Sequence, residues 1–569
     1  MTLDLGAALR QTTATSYSQD EVDRLLAGRL RMQPHPEWQL PEEPTWREDP
    51  FEDRNWRFQF HMLRWLEPLR RAASKGNDAA YRMWLRWVLD WVEKNPPSAP
   101  RTDWAWTDMS DGIRVQQLCS AAPMIADRAP ELLPWLESTI RVHADHLADP
   151  ANMGNANHAL HQQESLFVCG RVLQDEELER LASSRMSALL KEQYDEQGMN
   201  AEGATAYHYN NYLWWERALG RFDLEGIHRP DGADRHLHAP EEIAHATKPD
   251  GLLVPIGDTD EQSPKLIQSP FVEYVTTGGR SGSAPRDTAK VYDAGYVFAR
   301  SGWGDTRRSY ADQTFYTLRF GPARRVHGHP DGTSLTYSSH GVNWLTDLGK
   351  YQYGRSVPRD HFASREGHSV LSIDGRAAFN DAYVELVDHS LFSLAHQFFL
   401  EDNSYNGVEI TRRVIYSTRG EYLVIIDKAR SRRRLVASQR WQLGPDVDAT
   451  IDDHEVNLTA ADRHATLWFD DTITGIRSVR AQDDPFDGYV STGWKRMTPA
   501  TAVIATCEGT SVEFLTVLGA GTVTAPSVTT VAVPKPGCRA LDIDFGSSIE
   551  RILISPTAVS FPRVHHATR

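Results

Sequence analysis

The chain has few of the features that mark several large protein classes. Its four cysteines stand far apart in 569 residues, without a Cys-x-x-Cys pair, which excludes a cysteine-based zinc module and gives no disulfide framework. No apolar run approaches the ~20 residues that cross a bilayer, and no basic segment precedes an apolar stretch at the start. We therefore expect no membrane partner, and a cytoplasmic location as the sequence stands, or a periplasmic or secreted one if a leader has been removed.

Positive charge is also scarce. The 61 Lys and Arg residues are outnumbered by 77 Asp and Glu, which gives a formal net charge of −16. This charge argues against a nucleic-acid partner, and it would repel an acidic glycan unless basic groups gather in the binding cleft. The remaining composition is that of an ordinary globular protein, and a chain of 569 residues is too long for one hydrophobic core. We expect at least two domains; the oligomeric state is not indicated.

The first part of the chain has the 3.6-residue period of amphipathic helices. Ser18-Gln19-Asp20-Glu21 has the pattern of a capping box at the start of one helix. Many successive periodic segments with short connections predict antiparallel helix pairs, and hence a helical toroid or solenoid. The later segments are Asn55–Ala73, Asp78–Asn95, Asp111–Ala126, Pro130–Leu147, Asn157–Leu173, Asp175–Tyr194 and Glu202–Phe222.

Tryptophans crowd this helical part. An indole buries up to ~250 Å², so most of them are expected to pack between helices. Trp104 and Trp106 fall in a predicted loop instead, and we expect these two to stack on a sugar. The expected core set is Trp56, Trp65, Trp84, Trp87, Trp91, Trp214 and Trp215.

The period changes from 3.6 to 2 after an irregular stretch between Gly226 and Lys290. The alternating segments that follow predict a large antiparallel β-sandwich. We expect a toroid domain at 1–250, a connecting segment at 251–289 and a sandwich domain at 290–569. The predicted strands include Gly295–Trp303, Gln313–Phe320, Ser334–Ser339, Asn343–Asp347, His368–Asp374, Ser390–Leu400, Val408–Tyr416 and Glu421–Lys428.

Three polar clusters stand out from this background. His327 and His329 lie two residues apart in strand-like surroundings, so they would share a strand face and converge on one object, a metal or a reacting sugar. Asn157-His158 falls on a predicted helix, and Tyr207 follows Glu202 at the start of another. Together these groups suit an enzyme that removes a proton beside a carboxylate.

These motifs resemble those of the heparinase II/III-type polysaccharide lyases. The most specific resemblance runs from His327-Gly328-His329-Pro330-Asp331 through Asp347-Leu348-Gly349-Lys350-Tyr351 to the segment that begins at His368. Asn157-His158, Glu202–His208 and the loop Leu253–Asp260 resemble further family segments, although Ala204 and Thr205 replace the usual Ser and Pro. The resemblance implies an (α/α) toroid followed by an antiparallel β-sandwich, and β-elimination at a uronate.

The reaction can be matched to the residues. β-Elimination needs a neutralised C6 carboxylate, a base for the C5 proton and an acid for the departing O4. Asn157, assisted by His158, can bind the carboxylate without adding negative charge, and His327 and Tyr207 are the candidate base and acid. For one epimer of the uronate, Tyr207 could also act as base, a role that requires nearby positive charge because a phenol ordinarily titrates near pH ~10.

The resemblance also implies a structural zinc ion on His329, Asp347 and His368, with a water or another side chain, such as His361, as the fourth ligand. A hydrogen-bonded cluster without metal is the alternative. No organic cofactor is expected.

The expected partner is a uronate-containing polysaccharide or oligosaccharide, preferably with little sulfate because the chain is acidic. Its expected binding residues are Trp104, Trp106, Arg325, Tyr353 and Arg359. Two other functions stay open: a glycoside hydrolase that uses Glu202 with Asp258 or Asp260, and a non-catalytic glycan-binding protein.

Overall fold

The structure, a computed structural model, describes residues 3–10, 17–107, 109–305, 307–521, 524–533, 535 and 537–562. It has two compact units. The first comprises Met1–Gly198 and Asn210–His238, and the second comprises Met199–Tyr209 and Ala239–Arg569. This division is based on the contacts within each unit. The predicted domain boundaries at residues 250 and 290 stay predictions.

The described residues contain fourteen α-helices, α1 to α14. None of them combines the length and the apolar composition that crossing a membrane requires. Short 3-10 helices lie at Arg64–Leu66, Asp103–Trp106, Pro130–Leu132, Pro150–Asn152, Tyr310–Asp312 and Arg365–Gly367. In chain order the α-helices are Leu5–Leu9, Gln19–Leu26, Arg54–His61, Glu67–Ser74, Asp78–Lys94, Ser110–Arg128, Leu133–Ala148, Ala156–Leu173, Glu176–Gln193, Thr205–Glu225, Ala233–His236, Ala239–His245, Pro270–Thr276 and Val357–Phe362.

The helices of the first unit pack as neighbours along the chain, α4 against α5, α7 against both α6 and α8, and α8 against α9. The predicted capping box is present at the start of α2. The predicted helix Asn55–Ala73 is broken, because Leu63 adopts a left-handed backbone conformation (φ 55°) between α3 and the next 3-10 turn. The expected indole core is confirmed for Trp56, Trp65, Trp84, Trp87, Trp91 and Trp215, which are buried.

The described residues of the second unit contain three main antiparallel sheets. Their strands belong to a set of twenty-six, β1 to β26, in the described chain. In order these are Arg29–Leu30, Trp38–Gln39, Ala289–Tyr292, Tyr296–Arg300, Phe315–Arg319, Gly321–Pro322, Leu335–Ser339, Val342–Leu345, Leu371–Ile373, Tyr383–Leu391, Ala395–Asp402, Val408–Ser417, Leu423–Gln442, Asp448–Asp452, Glu455–Ala460, Arg463–Phe469, Gly475–Val479, Gln482–Asp483, Phe486–Asp487, Tyr489–Gly493, Arg496–Pro499, Ala502–Gly521, Ser527–Val531, Arg539–Asp544, Ile549–Ile554 and Val559–Ser560.

An eleven-stranded sheet forms the middle of this unit, with its long path in the order β14-β15-β16-β22-β13-β12-β11-β10-β6. A five-stranded sheet, β3-β4-β5-β7-β8, shares a core with one of its faces, and the four-stranded sheet β23-β24-β25-β26 shares a core with the other. Alternation along β13 explains the layers: Leu423 and Ile425 enter the first core, and Val424 and Ile426 enter the second. The predicted order of a helical part followed by an antiparallel β-sandwich is confirmed.

Two local predictions are wrong. The predicted strand Ser390–Leu400 is a hairpin, because the chain turns between Leu391 and Ala395 and pairs β10 with β11. The segment around His327 is a turn rather than a strand.

Candidate active site

Three loops of the second unit meet by backbone contact. The Gly203 N–H donates to the Val326 carbonyl (2.8 Å), and the Asp258 N–H donates to the His327 carbonyl (2.9 Å). A side chain at Gly203 would place its Cβ 2.5 Å from the Gly328 Cα, and one at Gly257 would collide with the carbonyls of Gly203 and His327. Glycine therefore allows the loops that carry Glu202, Asp258 and His327 to approach one another.

His327 lies in the turn with a left-handed backbone conformation, φ 58°. The strand-face argument for its orientation is therefore wrong, but the two histidines do converge, and the object is a carboxylate. His327 Nδ1 lies 3.0 Å from Asp258 Oδ2, and His329 Nε2 lies 3.1 Å from Asp258 Oδ1. The His327 ring also stacks on the Tyr207 ring, with 3.5 Å between centroids and 8° between planes.

Asp258 is the buried centre of this cluster. Besides the two imidazoles, it accepts a hydrogen bond from Arg359 Nη1 (2.5 Å). Burial opposes the charged carboxylate, but the hydrogen bonds from His327 and His329 and the nearby positive charge hold the pKa of Asp258 below its usual value. An ionised carboxylate only accepts, so Nδ1 of His327 carries the proton that faces it. Nε2 is then the ring nitrogen left for the reaction, and it lies 3.8 Å from Glu202 Oε2.

Tyr207 stands in the first turn of α10, as predicted. Thr205 anchors this turn by donating from its hydroxyl to the Val254 carbonyl (2.5 Å). The Tyr207 hydroxyl forms a hydrogen bond with the Tyr353 hydroxyl. Burial, then Tyr353 and the carboxylates of Asp258 and Glu202, raise the pKa of Tyr207. The phenol therefore stays protonated at neutral pH, which suits an acid and opposes the additional role as base.

Asn157 and His158 lie on α8 in the first unit, Asn157 buried and His158 half-buried. Their predicted role at the substrate carboxylate stays a prediction. His161, on the same helix, bonds through Nδ1 to Arg217 Nη2 (2.9 Å) and packs edge-on against Trp214, in agreement with a structural role.

Trp104 and Trp106 are in a 3-10 helix, Asp103–Trp106, rather than an open loop. The Trp106 indole donates to the Asn95 carbonyl (2.8 Å), and the Arg57 guanidinium lies 4.2 Å from the centre of the Trp104 ring. Both indoles are half-buried, so part of each surface is already used in packing.

The other three predicted binding residues belong to the second unit. Tyr353 and Arg359 join the cluster through Tyr207 and Asp258. Arg325 instead donates to the Ala294 carbonyl, and burial lowers the pKa of its guanidinium. Its observed bond is therefore structural.

The predicted zinc ligands lie close together. His368 Nδ1 is 2.6 Å from Asp347 Oδ1, and the His329 and His368 rings are 5.3 Å apart. Each side chain also keeps one buried polar atom without a hydrogen-bond partner among the described residues, namely His329 Nδ1, Asp347 Oδ2 and His368 Nε2. These atoms fit a cation in their donor chemistry, but no group of three or more His, Cys, Asp or Glu in the described chain is arranged to hold a metal ion. The proposed fourth ligand, His361, lies 3.4 Å from Asp487.

Sequence reasoning missed the residues beside Tyr353. Lys350 Nζ lies 4.8 Å from the centre of the Tyr353 ring, and Trp494 lies 5.8 Å from that ring. Asp260 supports both segments, because its Oδ1 accepts from the Lys350 N–H (3.3 Å) and from the Ser491 hydroxyl (2.9 Å). The sequence signal was Gly493-Trp494-Lys495-Arg496, an aromatic residue and two cations where a hairpin turns.

Two family models match most of the chain: Heparinase II/III N-terminus over residues 10–217, and Heparinase II/III-like, C-terminal over residues 283–515. A heparin-sulfate lyase of Bacteroides stercoris is 22% identical over 459 residues, which cover 72% of this chain and 66% of the relative. A heparin-sulfate lyase of Pedobacter heparinus is also 22% identical, over 474 residues, with 76% and 70% covered. The matches thus span about two thirds of these relatives' own lengths.

Solved structures share the fold. A crystal structure of heparinase III superimposes with a TM-score of 0.79 at 16% identity, covering 96% of this chain and 92% of that one. A heparan sulfate lyase from Pedobacter heparinus gives 0.73 at 17% identity, with 97% and 92% covered. Because both family models match and together cover most of its residues, the chain belongs to the heparinase II/III-type polysaccharide lyase family.

Proposed function

We propose that this protein is a carbon–oxygen lyase that cleaves a uronate-containing polysaccharide or oligosaccharide by β-elimination. The observation that carries the proposal is the stacked pair of His327 and Tyr207, with the imidazole oriented by Asp258 and the phenol kept protonated by its surroundings. A base and an acid thus stand side by side, as removal of one proton and delivery of another require.

The reaction balances without a redox partner. His327 Nε2 takes the C5 proton, the C5–H electrons form the C4–C5 double bond, and the C4–O4 bond breaks. The Tyr207 hydroxyl gives its proton to O4, and the proton held by His327 later restores the pair through solvent. Asn157, with His158, is proposed to bind the C6 carboxylate and so make the C5 proton acidic.

The glycan class follows from the site and the relatives. Two relatives are named heparin-sulfate lyases, so an acidic polysaccharide is the substrate class that we propose here. Within it we favour a glycan with little or no sulfate. The chain has a net charge of −16, and Arg359, close to the proposed base, is already bonded to Asp258.

The hydrolase alternative is disfavoured by the position of its carboxylates. Asp258 is buried and committed to two imidazoles and a guanidinium, and Asp260 bonds to Ser491 and to the Lys350 N–H. Both carboxylates are thus engaged in bonds within the protein, whereas glycoside hydrolysis requires a pair of carboxyl groups that act on the sugar.

The purified protein should be incubated with a panel of uronate polymers and oligomers while ultraviolet absorbance and reducing ends are followed. The proposal expects both signals to rise together, because the C4–C5 double bond is conjugated to the carboxylate. Reducing ends without ultraviolet absorbance would indicate hydrolysis, and binding without either signal would indicate a glycan-binding protein.

A structural zinc ion stays part of the proposal. His329, Asp347 and His368 would hold it, and its role would be to fix the loop that carries His327. The reaction itself is assigned to the side chains alone.

A further inference from the structure

A short hairpin of the second unit is fixed beside the proposed acid. Strands β20 and β21 turn at Trp494 and Lys495. The hairpin is held against the segment 348–353 by backbone bonds, from the Ser491 N–H to the Leu348 carbonyl and from the Lys495 N–H to the Tyr351 carbonyl, both 2.8 Å. The turn therefore has a defined place relative to Tyr353 and, through it, to Tyr207.

Lys350, Tyr353 and Trp494 form a small surface here, which we call the Trp494 platform. The Lys350 ammonium lies 4.8 Å from the Tyr353 ring centre and 5.9 Å from that of Trp494. Tyr353 is 43% exposed, and its ring lies 6.0 Å from the His327 ring. The platform thus combines two aromatic rings and a cation, is partly exposed, and is in direct contact with the proposed acid and base through Tyr353.

This combination matches the chemistry of a charged sugar. The C–H face of a pyranose packs on an aromatic ring, and an ammonium group attracts a carboxylate or sulfate on the same sugar. Lys350 Nζ is also 3.5 Å from Asp260 Oδ2, which orients the ammonium group. Lys495 and Arg496, exposed at the turn, add positive charge to a protein that is acidic overall.

The position of the platform indicates which sugar it binds. Tyr207 must reach O4, the oxygen that links the uronate to the departing sugar, and the Tyr207 hydroxyl is bonded to the Tyr353 hydroxyl. The departing sugar, which keeps this oxygen when the C4–O4 bond breaks, would therefore lie over Tyr353 and towards Trp494. We propose that the Trp494 platform is the binding subsite for the departing sugar, an inference that rests on the proposed β-elimination.

Calorimetry with a catalytically slowed variant tests this subsite. Tyr207→Phe, alone and combined with Trp494→Ala, is titrated with an unsulfated tetrasaccharide of 1,4-linked glucuronate, in which the departing sugar also carries a carboxylate. A second ligand is a methyl glucuronoside whose O4 carries only a methyl group. Trp494→Ala should weaken tetrasaccharide binding ~10-fold and glucuronoside binding less than ~2-fold, because only the tetrasaccharide supplies a departing sugar. Trp494→Phe should recover most of the affinity.

Phe392→Ala is the matched control, since Phe392 is a 64% exposed aromatic at the turn of the β10–β11 hairpin. It should leave both affinities at the parent value. Equal losses for the two ligands in Trp494→Ala, no loss for either, or no binding of the tetrasaccharide would overturn the subsite. The parent protein's ultraviolet signal judges the β-elimination separately: affinity that depends on Trp494 without unsaturated product would refute the lyase reaction alone.

Discussion

Replacement of Tyr207 by phenylalanine isolates the proposed acid. The change keeps the ring that stacks on His327 at 3.5 Å and removes only the hydroxyl. Loss of a general acid costs ~10²-fold or more in kcat, which corresponds to about 2.7 kcal/mol of transition-state stabilisation. The folded state should lose at most ~1 kcal/mol, because the hydroxyl left behind belongs to Tyr353, which is 43% exposed and can bond to water.

The assay is the initial rate of ultraviolet absorbance increase on the best substrate of the panel, with urea unfolding of both proteins in parallel. Tyr209→Phe is the control, because it removes another buried tyrosine hydroxyl from the same helix, two residues on and thus on another face. It should keep near-parent kcat. Near-parent turnover in Tyr207→Phe would refute the assignment and make Tyr351 and Tyr353 the next candidates. A large loss of stability would show that the hydroxyl is structural.

Three further outcomes are expected. Asp258→Asn should lower kcat/KM by ~10²-fold or more, since His327 loses its fixed tautomer. It should lower stability by about 2 kcal/mol, since the half-buried Arg359 guanidinium loses its charged partner. Unchanged initial rates would contradict this assignment. Elemental analysis of protein purified without a His-tag should find about one zinc per chain, lost in His368→Ala; a low content that zinc addition does not raise, with that variant as stable as the parent, would remove the site. Burial lowers the pKa of His396 to about 4, so below pH ~6.5 the unfolded chain binds more protons than the folded one. The contribution of His396 to the free energy of unfolding should therefore be complete above pH ~6.5 and fall by about 3 kcal/mol towards pH 4. Urea midpoints across this range should flatten in His396→Gln but keep the parent's slope in His389→Gln, where the histidine is exposed.

The periodicity of apolar residues predicted the helices and strands that are determined by their own sequence. The predicted helix Asp78–Asn95 is observed as Asp78–Lys94, because its apolar side chains recur at helical spacing. The hairpin at Leu391–Ala395 was missed because its turn, Leu391-Phe392-Ser393-Leu394, contains neither glycine nor proline and reads as a continuation of the strand. Turns of this kind are set by pairing with the rest of the sheet.

The sequence pointed to His327 and Tyr207, which the structure places in one cluster, but not to the centre of that cluster. The motif spacing pointed to His327 and Tyr207, and the structure stacks them. Asp258, which binds both histidines, was considered as a carboxylate of the hydrolase alternative and not as a partner of the histidines, since its partners lie about 70 residues away and no local pattern reports such a contact. The Trp494 platform likewise depends on a distant residue. Trp494 lies 141 residues after Tyr353 in sequence, and the β20–β21 hairpin brings the two rings together.

The glycine contacts between the three loops have a consequence for how mutagenesis of this protein is interpreted. An alanine scan would record Gly203→Ala and Gly257→Ala as inactive, although neither residue offers a group that reacts. Their loss of activity would measure displacement of a neighbour's backbone, so it should be accompanied by lower stability and should not respond to pH or to the choice of substrate. A scan that measures activity alone would therefore assign a catalytic role to residues whose only contribution is the absence of a side chain.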